Sequence, residues 1–387
     1  MPHSITRERN VLTALDETLH HQAPLTFDHV HSTDHRFYDR QLMGGFRADG
    51  DVAILAGITI FKNMNVMEGF AMVQHRSQRQ YNVRLTRQLR PMPDSDARIG
   101  PLCLSVIEAF KALRYTLEAG DYPFSLDMQF DAMLPPRLEH PHVSRGDGRL
   151  HTDYLRYNQL GRISGHLMVE GERIEATDWF GWRDHSWGVR PGVGGFEPMT
   201  GTPSAGGVAS ASRTGGKGLF LVHAGFRAGR FGGAVQLIED GEGKRLYTEG
   251  EVREGLGDPI EITGIAHDVL FKPGTRVFDR MALDLTLADG RHIPIEAQAV
   301  GRPWVYRGGG FDGGSADEQG QGVWRSRDLL FEIDSYDISD PEVVILPDGS
   351  RVKPKHREQL ATCRINGECG SAYIPMFVIG PQPRFGL

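Results

Sequence analysis

Phe124-Ser125-Leu126-Asp127-Met128-Gln129-Phe130-Asp131-Ala132 puts an apolar side chain at nearly every second position. Successive side chains of an extended strand point to opposite faces, so one face of this segment is buried and the other wet. The same pattern, closed by turns, recurs along the chain. Residues 162–169 run into Glu170-Gly171-Glu172-Arg173, a hairpin with glycine in its turn. Residues 218–224 and 234–238 flank Gly229-Arg230-Phe231-Gly232-Gly233 in the same way. Residues 283–287 and 292–296 flank Ala288-Asp289-Gly290-Arg291, and residues 343–346 meet Pro347-Asp348-Gly349-Ser350. Glycine (48 residues) and proline (22) form no low-complexity tract, and long helix-compatible stretches are scarce. The reading is all-β and mostly antiparallel, with few short helices.

Two segments depart from that pattern. Residues 7–20 suit a helix, with Leu12, Leu15 and Leu19 on one face. In residues 102–117, Leu102, Val106, Phe110, Leu113 and Leu117 fit a helical stripe, while Leu113, Tyr115 and Leu117 fit a strand, and periodicity alone does not decide. Residues 199–217, rich in Gly, Ser, Ala and Thr without alternation, read as a linker between an N-terminal domain (1–198) and a C-terminal domain (218–387). A chain of 387 residues suits two domains better than one.

Near the middle lies Trp179-Phe180-Gly181-Trp182-Arg183-Asp184-His185-Ser186-Trp187-Gly188-Val189-Arg190. Indoles are costly to expose and charges costly to bury unpaired, so this tract belongs at a boundary: a ligand pocket or a seam between domains. On a strand, Trp182, Asp184 and Ser186 share one face, and Arg183, His185 and Trp187 the other. An Asp in an indole-walled site has its neutral form favoured and can donate a proton. The face of Trp182 or Trp187 would stabilise the cation that results, and His185 would remove a proton or activate water. The competing reading is a buried clasp, in which Arg183 or Arg190 pairs with Asp184 and the tryptophans only pack.

This tract, with Gly165-His166-Leu167-Met168-Val169-Glu170-Gly171 before it, resembles the signature of the two-domain lipocalin-like superfamily. That group includes carotenoid hydratases, tocopherol-cyclase-like proteins and an uncharacterised bacterial branch carrying a Gly-x-Arg-Asp-x-Ser-Trp-Gly-x-Arg tract. Residues 37–190 carry the resemblance well. Arg302-Pro303-Trp304-Val305-Tyr306-Arg307-Gly308 and Gly320-Gln321-Gly322-Val323-Trp324 carry it weakly. It implies two antiparallel barrel-like or sandwich domains side by side, an apolar cavity in or between them, and strand at residues 102–117. It also implies a cofactor-independent lyase or isomerase (hydratase, dehydratase, cyclase or double-bond isomerase) acting on a terpenoid, steroid or aromatic polyketide. Asp184 and His185 would be catalytic. Trp182, Trp187, Arg183, Arg190 and Trp179 would contact substrate, as would Met67, although a Met-rich segment like that around it more commonly fills a core, and no metal or cofactor is expected. The alternative is a non-catalytic carrier of an apolar ligand.

Other features bound the reading. A net charge of −7, spread along the chain, gives no footprint for nucleic acid. No window is apolar enough to span a bilayer, and three cysteines are too few for a disulfide framework, so a cytoplasmic setting is expected. A homo-oligomer remains open. Asp28-His29-Val30-His31-Ser32-Thr33-Asp34-His35 has metal-ligand residue types, but a lone His-x-His more often marks a solvated loop. Tyr38-Asp39-Arg40 reads as strand-surface charge, as do Arg84, Arg87 and Arg90, although the three arginines could instead hold a substrate anion. There is no P-loop, no dinucleotide-binding turn and no Gly-x-Ser-x-Gly elbow, and Cys363 and Cys369 are spaced too widely for a Cys-x-x-Cys pair.

Overall fold

The computed structural model describes residues 12–17, 19–92, 96–146, 148–195, 218–305, 316–317, 319–353 and 356–387. Twelve strands come first: β1 (Phe37–Phe46), β2 (Val52–Phe61), β3 (Val66–His75), β4 (Arg79–Gln88), β5 (Ala97–Ile99), β6 (Leu102–Glu108), β7 (Ala112–Leu117), β8 (Phe124–Ala132), β9 (Arg137–Leu138), β10 (His142–Gly146), β11 (Arg149–Val169) and β12 (Glu172–Val189). Six follow: β13 (Leu219–Ala228), β14 (Phe231–Asp240), β15 (Arg245–Glu254), β16 (Ile260–Phe271), β17 (Phe278–Leu287) and β18 (His292–Val305). The last are β19 (Leu330–Asp337), β20 (Val344–Ile345), β21 (Arg351–Val352), β22 (His356–Ile365) and β23 (Glu368–Ile379).

The chain is all-β, and every described strand pair whose register is given is antiparallel. Strands β13 to β18 with β22 and β23 form a closed barrel, while the others form one long sheet ordered β5-β6-β7-β8-β11-β12-β1-β2-β3-β4-β19-β20-β21. The long sheet stays open but curls, so that Ile99 and Leu102 from one end share an apolar interior with Ala71, Val83 and Leu85 near the other. The two expected barrel-like units are thus one closed barrel and one curled sheet.

Strand pairing also crosses the division suggested by the sequence. Residues 330–352, from the second half, extend the first sheet by pairing β19 with β4. The linker expected at 199–217 lies outside the described residues.

The strand-like reading of 102–117 holds as a hairpin, β6–β7, turned at Phe110 with φ +61°. The helix expected over 7–20 is replaced, in its described part, by a single 3-10 turn at Ala14–Glu17. Leu12, Leu15 and Leu19 are exposed there, so no apolar surface receives the stripe that would have stabilised a helix. No helix among the described residues is long and apolar enough to cross a membrane.

Strands β11 and β12 form a long hairpin turned at Glu170-Gly171, both with positive φ as a tight two-residue turn requires. Its register slips between Ile163 and Gly165, leaving β12 one residue longer around Thr177 and Asp178. That bulge changes which face the odd-numbered residues of β12 take. Gly165 has φ +130°, and an added Cβ would lie 2.1 Å from the Asp127 carbonyl oxygen. Gly165→Ala should therefore cost about 1–3 kcal/mol in urea denaturation, and an unchanged midpoint would show that the bulge tolerates a side chain.

Candidate functional site

Strand parity gives the first sheet two unlike faces. The inner face is apolar and packed, with Met43, Ile54, Ala71, Val83, Leu126 and Phe130 in one cluster. The outer face lies against the barrel: Leu42, Phe46, Leu55, Phe70, Leu160 and Trp182 pack there with Trp304, Leu360 and Tyr373. Within this seam the register sets side chains in rows across neighbouring strands. One row is Glu68, Thr59, Arg40, Ser186 and Arg156. The next is Phe70, Gly57, Leu42, Asp184 and Asn158. Five strands at the usual spacing make each row about 19 Å long.

The polar row is held inside the protein. Arg40, Thr59 and Ser186 are buried. Glu68, Arg156 and His223 lie deep in the molecule, yet keep 17%, 18% and 17% of their side-chain surface open. Solvent thus reaches part of the surface of each of the three.

Glu68 accepts the Gly322 backbone N–H at 2.9 Å and the Arg325 guanidinium at 3.1 Å. Burial outweighs both contacts and pushes its carboxyl up to about 7. Asp184 also has its protonated form favoured by burial, against the pull of Arg156 and Arg40. Among the described residues no hydrogen bond or ion pair ends on the Asp184 carboxylate. The Trp182 indole stacks on Tyr373 with ring centroids 4.0 Å apart. Gly44 makes this possible, since a Cβ there would lie 2.8 Å from Trp182 Nε1. Trp182 Nε1 and the Tyr373 hydroxyl are buried without a hydrogen-bond partner among the described residues. Buried donors are ordinarily satisfied, so these two are available to something placed between sheet and barrel.

A cluster of polar contacts between residues 137–142 and the barrel lies at the Arg156 end of the rows. Glu139 accepts Arg156 Nε at 2.9 Å and lies 2.6 Å from His142 Nε2, with Asn158 also donating to it. From the barrel, His223 Nε2 stands 3.6 Å away. Arg137 pairs with Glu249 of β15, which also accepts the His140 backbone N–H at 3.0 Å. Burial raises the Glu139 carboxyl, but Arg156 and then His142 hold it well below the usual carboxylate range. His223 is pushed down to about 3 by burial and then by Arg156. Its contact with Glu139 is therefore that of a neutral ring, because Arg156 already balances the carboxylate.

The other face of β12 carries a separate cluster. His185 Nε2 lies 2.7 Å from Asp39 Oδ1, and its Nδ1 lies 3.3 Å from the Tyr157 hydroxyl. Arg183 donates to the Tyr157 oxygen at 3.1 Å and to Gln159 Oε1 at 2.8 and 2.6 Å. Gln159 in turn donates to the carbonyls of Phe110 and Leu134. The Trp187 ring stands 5.2 Å from that of His185.

The residues singled out from sequence are therefore divided. Asp184 and Trp182 enter the seam, while His185, Arg183 and Trp187 face the mouth of the first sheet, so Asp184 and His185 do not meet. Arg183 is occupied by Gln159 and Tyr157 rather than by Asp184. Arg190 lies over the Tyr38 ring at 5.4 Å. Trp179 and Met67, expected to touch a ligand, are instead packed in the sheet's apolar interior. Residues 28–35 form loop and bend, with Asp28 paired to Arg90 at 2.8 Å and Asp34 to Arg36 at 2.7 Å. Among the described residues no three metal-ligating side chains gather.

The arginine readings change as well. Arg84 is buried between Glu332 and Asp334 of β19, and Arg87 donates to backbone carbonyls. Arg40, expected at the surface, is buried in the seam. Arg40 and Glu68 were missed as site residues. The available signal was parity: each shares a strand face with apolar neighbours, Tyr38 and Leu42 for one, Val66 and Phe70 for the other.

No curated protein matches the sequence. Among solved structures, a protein named as an AttH from Nitrosomonas europaea aligns over 90% of this chain and 94% of its own, with TM-score 0.53 and 12% identity. Kievitone hydratase from Nectria haematococca aligns over 88% of both chains with TM-score 0.44 and 9% identity. CghA with Sch210972 aligns over 89% of both with TM-score 0.43 and 8% identity. The first of these likenesses shows a shared fold and nothing of activity. Over residues 12–387, the chain belongs to the family of unknown function DUF8625.

Proposed function

We propose that the seam between sheet and barrel is the working site of a cofactor-independent lyase or isomerase acting by acid–base chemistry on a hydrophobic small molecule. The observation that carries this reading is the presence, on the sheet face that meets the barrel, of two carboxyl groups whose protonated form burial favours, Glu68 and Asp184. A carboxyl near 7 can both give and take a proton at neutral pH. Either acid would protonate an alkene or a polarised carbonyl, and the ring faces of Phe70, Trp182 and Tyr373 would stabilise the cationic centre. The second carboxylate, three strands or about 14 Å away, would then remove a proton from, or activate water at, the far end of an elongated substrate. Cyclisation of an extended unsaturated chain, begun by proton gain at one end and ended by proton loss or capture of water at the other, follows this sequence. The length of the rows suits an elongated terpenoid, a steroid or an aromatic polyketide.

The clasp reading of Asp184 is weaker, because no described partner pairs with its carboxylate, whereas Arg137 and Glu249 already form an ion pair to the barrel. His185 lies on the other face of the strand and takes no part in this chemistry. A carrier of an apolar ligand is the second reading, favoured by the unpartnered Trp182 and Tyr373 donors, which would orient a bound molecule without changing it.

Mass spectrometry of small molecules extracted from the purified protein tests both. The expected result is an unsaturated apolar compound that, on incubation, yields an isomer or a species differing by one water. Recovery of an unchanged compound after long incubation would establish the carrier and exclude the enzyme.

A further inference from the structure

The cluster on the opposite face of β12 is a second, independent arrangement of groups able to move a proton. Asp39, half exposed, can only accept hydrogen bonds when ionised, so the His185 nitrogen 2.7 Å from it carries the hydrogen. In the neutral ring Nδ1 then holds a lone pair. That lone pair faces the Tyr157 hydroxyl at 3.3 Å, which is long for an O–H···N bond and so weakly held. The Tyr157 oxygen is fixed from behind by Arg183, itself locked by two hydrogen bonds to Gln159. Around this opening stand aromatic rings. Trp187 lies edge-on to His185, and Phe110, about half exposed, lies edge-on to Tyr157 at 5.7 Å.

We infer that the mouth of the first sheet is a binding site for a planar phenolic or enolic small molecule, whose hydroxyl inserts between His185 and Tyr157. His185 Nδ1 accepts the ligand's proton: the ligand O–H bond breaks, an N–H bond forms, and the imidazolium is balanced by Asp39. The negative oxygen left on the ligand receives the Tyr157 O–H, which turns away from His185 to donate to it. Arg183 keeps the Tyr157 oxygen electron-poor and so strengthens that donation. Phe110 and Trp187 contact the ligand's ring. The site shares no side chain with the seam and does not depend on the activity proposed there.

Titration of the protein with 4-nitrophenol, followed by the absorbance of its phenolate, tests this. At a pH just below the free probe's own ionisation, the wild type should bind it saturably and raise its phenolate fraction. His185→Gln and Tyr157→Phe should each weaken binding about tenfold or more, the loss expected for one hydrogen bond to a charged group. Asp39→Asn, at a half-exposed position that leaves folding intact, should abolish the rise in phenolate, and it carries the test should His185→Gln not fold. Absence of saturable binding, or binding that all three variants leave unchanged, would overturn the site.

Discussion

Asp184→Asn and Glu68→Gln are each expected to lower turnover of the seam's ligand by about 10²–10⁴-fold, the usual worth of a positioned proton donor or acceptor. Both substitutions keep size and shape and remove only the ability to exchange a proton. Binding should persist, because the seam walls are apolar side chains that neither change touches. For Asp184→Asn the folded state should be nearly unaffected, since no described partner hydrogen-bonds its carboxylate. For Glu68→Gln a modest loss of stability is expected, because Gln still accepts the Gly322 N–H but no longer attracts Arg325. Turnover and ligand affinity measured side by side separate these effects. Full turnover in both variants would remove the acid–base reading, and loss of affinity in step with turnover would make the two residues ligand-holding rather than catalytic.

Arg156→Met is expected to destabilise the protein by about 3–5 kcal/mol, because it leaves Glu139 buried without its main counter-charge. Urea denaturation at neutral pH measures this, and a change below about 1 kcal/mol, typical of an exposed pair, would show that Glu139 does not depend on Arg156 for its counter-charge. The same cluster sets the response to acid. His223 has a folded value of about 3 against an ordinary 6.5, so between those values the unfolded chain binds a proton that the folded chain does not. Stability should fall as pH drops from about 6.5. Glu139, depressed well below 4.5, acts in the same direction further down, its contribution being lost as pH falls towards its folded value. His223→Gln should flatten the part of the curve between about 6.5 and 4.5, and identical curves for wild type and variant would exclude His223 as its source.

Much of this architecture is written in local pattern. The alternation in residues 124–132 became β8 with alternating burial, and the glycine-containing turn at 170–171 became the hairpin that carries the central tract. The division of Asp184 from His185 also follows from parity alone. What covers each face does not. That β19 would leave the second half of the chain and pair with β4 depends on contacts about 250 residues apart, as between Arg84 and Glu332, which no local period encodes. The burial of Arg40 and Glu68 follows from the same long-range packing, so both looked like surface charge or went unnoticed. Trp179 keeps parity with Arg183 and His185, and its apolar surroundings, unlike theirs, come from Ile163 and the inner face of the curled sheet, which the tract itself does not reveal.

The return of residues 330–352 to the first sheet makes the two halves topologically inseparable by a single cut. Severing the backbone between residues 196 and 217 would leave β19 hydrogen-bonded to β4 along eight residue pairs. A nicked protein should still migrate as one species under native conditions, and the fragments should part only when the sheet itself melts.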